Sequence, residues 1–233
     1  MSTTTTTSQS ATSPTRNKLD DYARWGLWAL PVWAALLAYS TLTHQPSPQP
    51  SGYASYVTTT EFLIHHLVAS IFGAGVGILG LTALFIVLCK GRAAPLALWA
   101  LVLGVIGNTL DTAGFGVAAF AQSAIGRAYL SGHMAEATAI NNDVYGPPLF
   151  ATLVLGTLLI TISIVLFGVA VARSGSLPKL AGIGLVVGIV LFAVVFGPVT
   201  FFDFGAGQPL GAALMGASAV WIAITGWRML RAS

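Results

Sequence analysis

Six long apolar stretches, separated by short polar connections, fill most of the chain between Trp25 and Met229. A helix rises about 1.5 Å per residue, so roughly 20 apolar residues cross the hydrocarbon core of a bilayer, which is about 30 Å thick. Each stretch is therefore long enough to cross a membrane once. The pattern predicts transmembrane helices over residues 25–42, 62–89, 94–120, 148–172, 180–199 and 209–229.

The shortage of charged residues excludes a soluble domain. Only 7% of the 233 residues are charged and the mean hydropathy is +0.82, whereas about a quarter of the residues in soluble domains are charged. The predicted fold class is an all-α integral membrane bundle of six transmembrane helices over residues 23–233. Residues 1–22 form a short tail that is rich in Ser and Thr and has little apolar surface to bury, which predicts disorder.

The basic residues predict the orientation of the bundle, because cytoplasmic connections carry an excess of Lys and Arg. Nine of the ten basic residues fall on one side if there are six spans: Arg16, Lys18, Arg24, Lys90, Arg92, Arg173, Lys179, Arg228 and Arg231. Only Arg127 falls on the other side. We therefore predict a multi-pass protein of the plasma membrane with both termini in the cytoplasm. Because the basic residues flank the spans instead of clustering, no nucleic-acid partner is expected.

Small residues predict which helix faces lie inside the bundle. In span 2, the residues His66, Ser70, Gly73, Gly77 and Gly80 recur at increments of four and three, which places them on one helix face. Span 5 has Gly184 and Gly188 in a GxxxG spacing. Packing inside one chain is the favoured interpretation, and a homo-oligomer formed through glycine-rich faces is the alternative.

Asp111 is the most informative single residue, because an ionisable group at the centre of a span costs at least about 2.5 kcal/mol unless it is paired or hydrated. Asn108 lies one turn away on the same predicted face, together with Gly104. Two roles stay open for Asp111. It either joins helices inside the bundle or binds a proton, an ion or a ligand.

His66 lies near the outer end of span 2 and is the second candidate for a site. A pocket of His66, Asn108 and Asp111 is plausible in the outer half of the bundle if span 3 ends near Gly116 rather than Phe120. Asp203, in the last outer connection, is a further candidate ligand-binding residue. His65 is expected to pair with Glu61 at the membrane interface.

The long outer connection, residues 122–146, is expected to contain a short helix that begins at Ser131. Its polar residues either cap the pocket or belong to a hydrated loop, which is the default for loops. The candidates in this connection are His133, Glu136, Asn141, Asn142, Asp143 and Tyr145.

Several kinds of chemistry are not expected from this sequence. Cys89 is the only cysteine, which excludes a thiolate metal cage within one chain, and the phosphate-loop, HExxH, CxxC and GxSxG motifs are absent. Haem held by two histidines requires imidazoles on two spans, and only span 2 supplies them. No cofactor and no metal are therefore expected.

Three hypotheses about function remain open. In the first, a non-catalytic membrane protein embedded in the lipid bilayer binds a small molecule, a lipid or a partner in an outward-facing polar pocket. In the second, a small proton-coupled transporter uses Asp111. In the third, a lipid-modifying or redox enzyme uses His66 with Asp111, or the acids of the outer connection.

Overall fold

The computed structural model describes residues 18–42, 50–195 and 207–232, which are almost entirely helical and contain no strand. The all-α prediction is confirmed for this part of the chain. In chain order the helices are α1 (Lys18–Gly26), α2 (Ala29–Leu42), α3 (Pro50–Val57), α4 (Thr60–His65), α5 (Gly73–Leu88), α6 (Ala94–Leu130), α7 (Met134–Val144), α8 (Pro147–Ser174), α9 (Lys179–Ile189) and α10 (Gly207–Ala232). Two π-helical segments, His66–Phe72 and Val190–Val195, continue α4 into α5 and extend α9.

Four helical runs are long and apolar enough to cross a membrane: Thr60–Leu88, Ala94–Leu130, Pro147–Ser174 and Gly207–Arg231. They overlap predicted spans 2, 3, 4 and 6. A shorter apolar run, Lys179–Val195, overlaps span 5 and adjoins residues that the structure does not describe. The four long runs make this a multi-pass membrane protein.

The exteriors of these helices are apolar, as contact with lipid requires. Many large hydrophobic side chains point away from the bundle, more than the surface of a soluble protein normally exposes. Examples with more than half of their surface exposed are Phe72, Leu79, Trp99, Phe120, Phe150, Leu180 and Leu210.

The first predicted span is broken into two helices, α1 and α2, with a turn at Leu27 and Trp28. Pro31 explains the break, because its nitrogen has no hydrogen to donate to the Leu27 carbonyl. The Leu30 backbone N–H donates to that carbonyl instead, at 3.2 Å, which tightens the turn. The prediction of one uninterrupted helix over residues 25–42 was therefore wrong, because α1 ends at Gly26 and α2 begins at Ala29.

The ends of the longer helices follow from their local sequence. Pro147 and Pro148 occupy the first turn of α8, where a missing N–H costs nothing, and Gly175 ends this helix with a φ of +72°. The Thr59 hydroxyl accepts a hydrogen bond from the Phe62 backbone N–H at 3.1 Å and caps α4.

Helix α6 is much longer than the predicted third span. Its 37 residues extend about 55 Å, nearly twice the thickness of a hydrocarbon core. The helix ends neither at Gly116 nor at Phe120 but continues to Leu130, where the Ser131 backbone N–H donates to the Arg127 carbonyl. The C-terminal part of α6, residues 121–130, therefore projects beyond the predicted third span and packs against α3 and α7.

One end of the bundle carries α1, the α5–α6 turn and the C-terminus of α10, and we call it the basic end. An ion pair between Asp20 and Lys90 joins α1 to the α5–α6 turn. The Arg24 guanidinium lies 5.7 Å from the ring centre of Trp227 on α10. Cations stacked on tryptophan in this way are typical of a membrane–water interface.

The predicted glycine face of span 2 packs inside the bundle, against α2. A Cβ on Gly77 would lie 2.8 Å from the Trp33 ring, and a Cβ on Gly80 would lie 2.9 Å from the Leu30 backbone nitrogen. Gly188 of the GxxxG pair packs against α10, where its Cβ would lie 2.9 Å from the Gly211 carbonyl oxygen. These glycines serve packing within one chain, and self-association stays a prediction.

Candidate functional site

Asp111 lies in the tight interface between α6 and α8. Its side chain is 8% exposed, and its Oδ1 atom is buried without a hydrogen-bond partner. The carboxyl occupies the space that a side chain at Gly156 would fill, and the Thr157 side chain lies beside it. Sequence analysis correctly identified Asp111 as buried, but the glycine that makes room for it could not be identified without the fold.

Asn108 and Ser163 are buried polar residues of α6 and α8 whose side chains donate hydrogen bonds to backbone carbonyls of α6. The Asn108 side chain is 2% exposed and donates to the Gly104 carbonyl of its own helix at 2.7 Å. The fully buried Ser163 hydroxyl donates from α8 to the Ala100 carbonyl of α6 at 2.6 Å. The Ser163 hydroxyl therefore joins the two helices, the Asn108 amide bonds within α6, and Oδ1 of Asp111 remains without a hydrogen-bond partner among the described residues.

His66 begins the π-helical segment, in which one turn is widened. Its Nδ1 atom lies 3.0 Å from the Phe62 carbonyl oxygen, and its ring centre lies 4.2 Å from that of Phe62. No hydrogen bond, ion pair or ring contact joins His66 to Asp111 in the described part of the chain. Asp111 thus faces Gly156 of α8, the Asn108 side chain bonds to its own helix, and His66 makes its contacts with Phe62.

His65 lies against α2 and the start of its own helix. Its Nε2 atom is 3.9 Å from the Glu61 carboxylate, as the spacing of the two residues suggested. Its ring meets the edge of the Tyr39 ring with 5.2 Å between the ring centres. These contacts attach α4 to α2 and leave His65 outside the Asp111 interface.

The candidates from the outer connection lie on an exposed helix. His133, Asn142 and Asp143 are all exposed on or beside α7, and Asp203 lies outside the described residues. Helix α7 begins at Met134 rather than at Ser131, because the Ser131 hydroxyl donates back to the Arg127 carbonyl and completes the end of α6. Within the described residues, no group of three or more His, Cys, Asp or Glu side chains is placed to hold a metal ion.

A cavity of about 410 Å³ opens between α3, the projecting part of α6 and α7, at the end of the bundle opposite the basic end. Three tyrosines from the three segments line it: Tyr53, Tyr129 and Tyr145. The other lining residues are Pro50, Ala54, Gln122, Ile125, Gly126, Ala137, Thr138 and Asn141. This volume falls in the range of small-molecule sites, about 300 to 1,000 Å³.

Two close contacts between α3 and α6 build one wall of the cavity. The Ser123 hydroxyl on α6 donates to the Val57 carbonyl at the end of α3, at 2.6 Å. Gly126 lets α3 approach closely, because a Cβ there would lie 2.7 Å from the Val57 side chain and 3.0 Å from the Ala54 carbonyl oxygen. Of the lining residues, only Asn141 and Tyr145 were among the candidates that the sequence predicted in the outer connection.

Tyr145 has the most unusual electrostatic surroundings in the cavity. Burial raises the pKa of its phenol well above the ordinary value, and Tyr53 raises it further. Gln122 lies near and offsets part of this effect, but the Tyr145 hydroxyl is buried without a hydrogen bond of regular geometry. Burial also raises the pKa of Tyr53. Both phenols therefore stay neutral, and they offer the cavity ring surface without charge.

An alkaline titration tests this arrangement. A raised pKa in the folded state means that the neutral phenol contributes stability below the unfolded pKa of 10.0, and that this stability is lost as the pH rises above it. We expect the ultraviolet absorbance of tyrosinate to reveal late-ionising tyrosines, with Tyr145→Phe removing one of them and reducing the alkaline loss of stability. Tyr22→Phe on α1, far from the cavity, is the matched control. Equal titration curves for Tyr145→Phe and Tyr22→Phe would contradict the burial of this phenol.

Comparison with known proteins finds no match for this chain among protein-family models, curated proteins or solved structures.

Proposed function

We propose that this chain is a six-span, non-catalytic protein of the plasma membrane that binds a small organic molecule in the cavity between α3, α6 and α7. Both termini lie in the cytoplasm, so the cavity opens on the outer side. The observation that carries this proposal is the cavity itself, which has the size of a ligand site and combines ring surfaces with a few uncharged polar groups.

Several features support six spans and this orientation. Two further helical segments add to the four long runs. One is α1 with α2, which together cover residues 18–42, and the other is α9 with its π-helical extension. The basic residues at the α5–α6 turn, before α9 and at the end of α10 all belong on one side if each of these segments crosses the bilayer. The cavity is formed by connections on the other side.

The other hypotheses have weaker support than the cavity. The transporter depends on Asp111, and the enzyme depends on His66 with Asp111 or on the acids of the outer connection. Of these residues, none that the structure describes lines the cavity. Asp111 instead faces Gly156 in a closed helix interface, where its carboxyl has little room for a substrate. Binding without catalysis therefore ranks first.

The orientation can be tested with the single native cysteine. Cys89 is exposed in the α5–α6 turn at the basic end, so a membrane-impermeant maleimide is expected to leave it unlabelled in intact cells and to label it after permeabilisation. In a Cys89→Ser background, Thr138→Cys in the cavity wall is expected to label in intact cells. If Cys89 is labelled in intact cells, or if the Thr138→Cys thiol is not labelled there, the orientation is the reverse of the one proposed.

Ligand binding can be measured with the same thiol. Three molecules of nearly equal shape serve as probes: neutral 3,3-dimethylbutan-1-ol, anionic 3,3-dimethylbutanoate and cationic choline. At least one is expected to slow maleimide labelling of Thr138→Cys, which lines the cavity. None should slow labelling of Ala139→Cys, the neighbouring exposed position outside the cavity lining. Equal labelling rates for both variants with all three probes would refute small-molecule binding.

A further inference from the structure

The chemistry of the cavity wall restricts the ligand class more than its size does. Of its eleven lining residues, three are tyrosines and none is Lys, Arg, His, Asp or Glu. The polar side chains apart from the tyrosines are Gln122, Thr138 and Asn141, all of which are uncharged. An anion would find no positive group in this wall to neutralise it.

The electrostatic surroundings favour a cation. Among the segments that form the cavity, α3 carries no charged residue, the projecting part of α6 carries only Arg127, and α7 carries Glu136 and Asp143. One positive charge against two negative charges leaves a net charge of −1 on the segments that form the cavity. The negative faces of the tyrosine rings add to this preference, because an aromatic face attracts a cation within about 6 Å.

The type of cation follows from the hydrogen-bonding groups. A primary ammonium is held most strongly by a carboxylate, which accepts its N–H donors and neutralises its charge, and the cavity wall offers only neutral oxygens. A quaternary ammonium has no N–H group and buries methyl groups against aromatic rings. Tyrosine cages without a close carboxylate suit this group better than they suit a lysine-like amine.

We propose that Tyr53, Tyr129 and Tyr145 form a cage for a trimethylammonium group at the outer end of the bundle. This inference rests on the proposed function, because it identifies the ligand class of the same cavity. The group comes either from a free solute such as choline or from the headgroup of a phosphatidylcholine lipid. Both sources present the same methyl surface and the same positive charge.

The thiol-protection assay compares choline with its neutral isostere in nanodiscs that lack phosphatidylcholine. We expect choline to protect the Thr138→Cys thiol at concentrations on the order of tenfold lower than 3,3-dimethylbutan-1-ol, because only choline gains the attraction to the rings. Tyr129→Phe keeps the ring and should keep this preference. Tyr129→Leu removes the ring and should bring the two molecules close to equal.

The outcomes separate the ligand class from the proposed function. Equal protection by choline and the alcohol would overturn the trimethylammonium cage and leave small-molecule binding intact, whereas no protection by any probe would refute both. A choline preference that survives Tyr129→Leu unchanged would also overturn the cage. If the preference holds, nanodiscs containing phosphatidylcholine identify the source. Loss of choline protection there indicates the lipid headgroup, and unchanged protection indicates a free solute.

Discussion

Gly156→Ala is expected to destabilise the protein by about 1 to 3 kcal/mol, the usual cost of forcing an extra carbon into a packed interface. The new Cβ would collide with Oδ1 of Asp111 and would lie 3.0 Å from both its Cγ and its backbone nitrogen. The backbone nitrogen belongs to a rigid helix and cannot rotate away. Reversible unfolding in detergent, followed by circular dichroism, measures the loss.

Gly116→Ala on α6 is the matched control. A Cβ at Gly116 meets nothing within 4 Å, so this substitution should be neutral or stabilise the helix by up to about 1 kcal/mol. Equal stability of Gly156→Ala and Gly116→Ala would show that α6 and α8 can separate without cost and would contradict the closed interface.

A double substitution tests whether the carboxyl itself causes the strain. In an Asp111→Ala background the collision with the carboxyl is gone, whereas the contact with the backbone nitrogen remains. Gly156→Ala should therefore cost less there than in the native chain, with a coupling free energy in the range of about 0.5 to 3 kcal/mol. If the two substitutions change the free energy of unfolding additively, the Asp111 side chain does not occupy the space beside Gly156.

The parts of this fold that could be predicted from sequence are those set by local chemistry and by the thickness of the bilayer. Paired prolines correctly marked the start of α8, and small-residue spacing correctly placed Gly77 and Gly80 on a packed face. Asp111 was identified as buried because an ionisable residue in an apolar stretch has few alternatives. Each of these inferences needed only residues within a few turns of one another.

Hydropathy failed at the end of α6, because it measures where the apolar layer stops and not where a helix stops. Residues 121–130 are mixed in polarity, yet the helix continues through them to Leu130. Contacts distant in sequence stabilise this part, including the hydrogen bond from Ser123 to the Val57 carbonyl. The π-helical segment that begins at His66 likewise had no recognisable sequence pattern.

The cavity was the feature that could least be predicted from the sequence, because its lining residues come from segments that only the fold brings together. Tyr53 comes from a connection before span 2, whereas Tyr129 and Tyr145 come from the ends of α6 and α7. Only the docking of α3 onto the projecting part of α6 brings them to one cavity. The three tyrosines did not by themselves predict a ligand site, because tyrosines near a membrane surface commonly serve as anchors at the interface.

Gly126→Leu is expected to remove ligand binding while leaving the transmembrane bundle folded. Gly126 lies where α3 crosses α6, and even a Cβ there would lie 2.7 Å from the Val57 side chain, 3.0 Å from the Ala54 carbonyl oxygen and 3.1 Å from the Thr58 methyl group. A leucine would push α3 away from α6 and carry Tyr53 with it. We expect protection of the Thr138→Cys thiol by choline to weaken at least about tenfold, the contribution assigned to the aromatic cage.

Gly116→Leu provides the matched control, because it adds the same side chain to α6 at a position with open space around the Cβ. It should bind choline as the native chain does. Gly126 lies beyond the predicted third span, so circular dichroism should match in the two variants, as should maleimide labelling of Cys89 after permeabilisation in versions that keep this cysteine. If Gly126→Leu binds choline normally, α3 is not a wall of the site. If it unfolds the bundle while Gly116→Leu does not, the contact between α3 and α6 supports the whole fold and not the cavity alone.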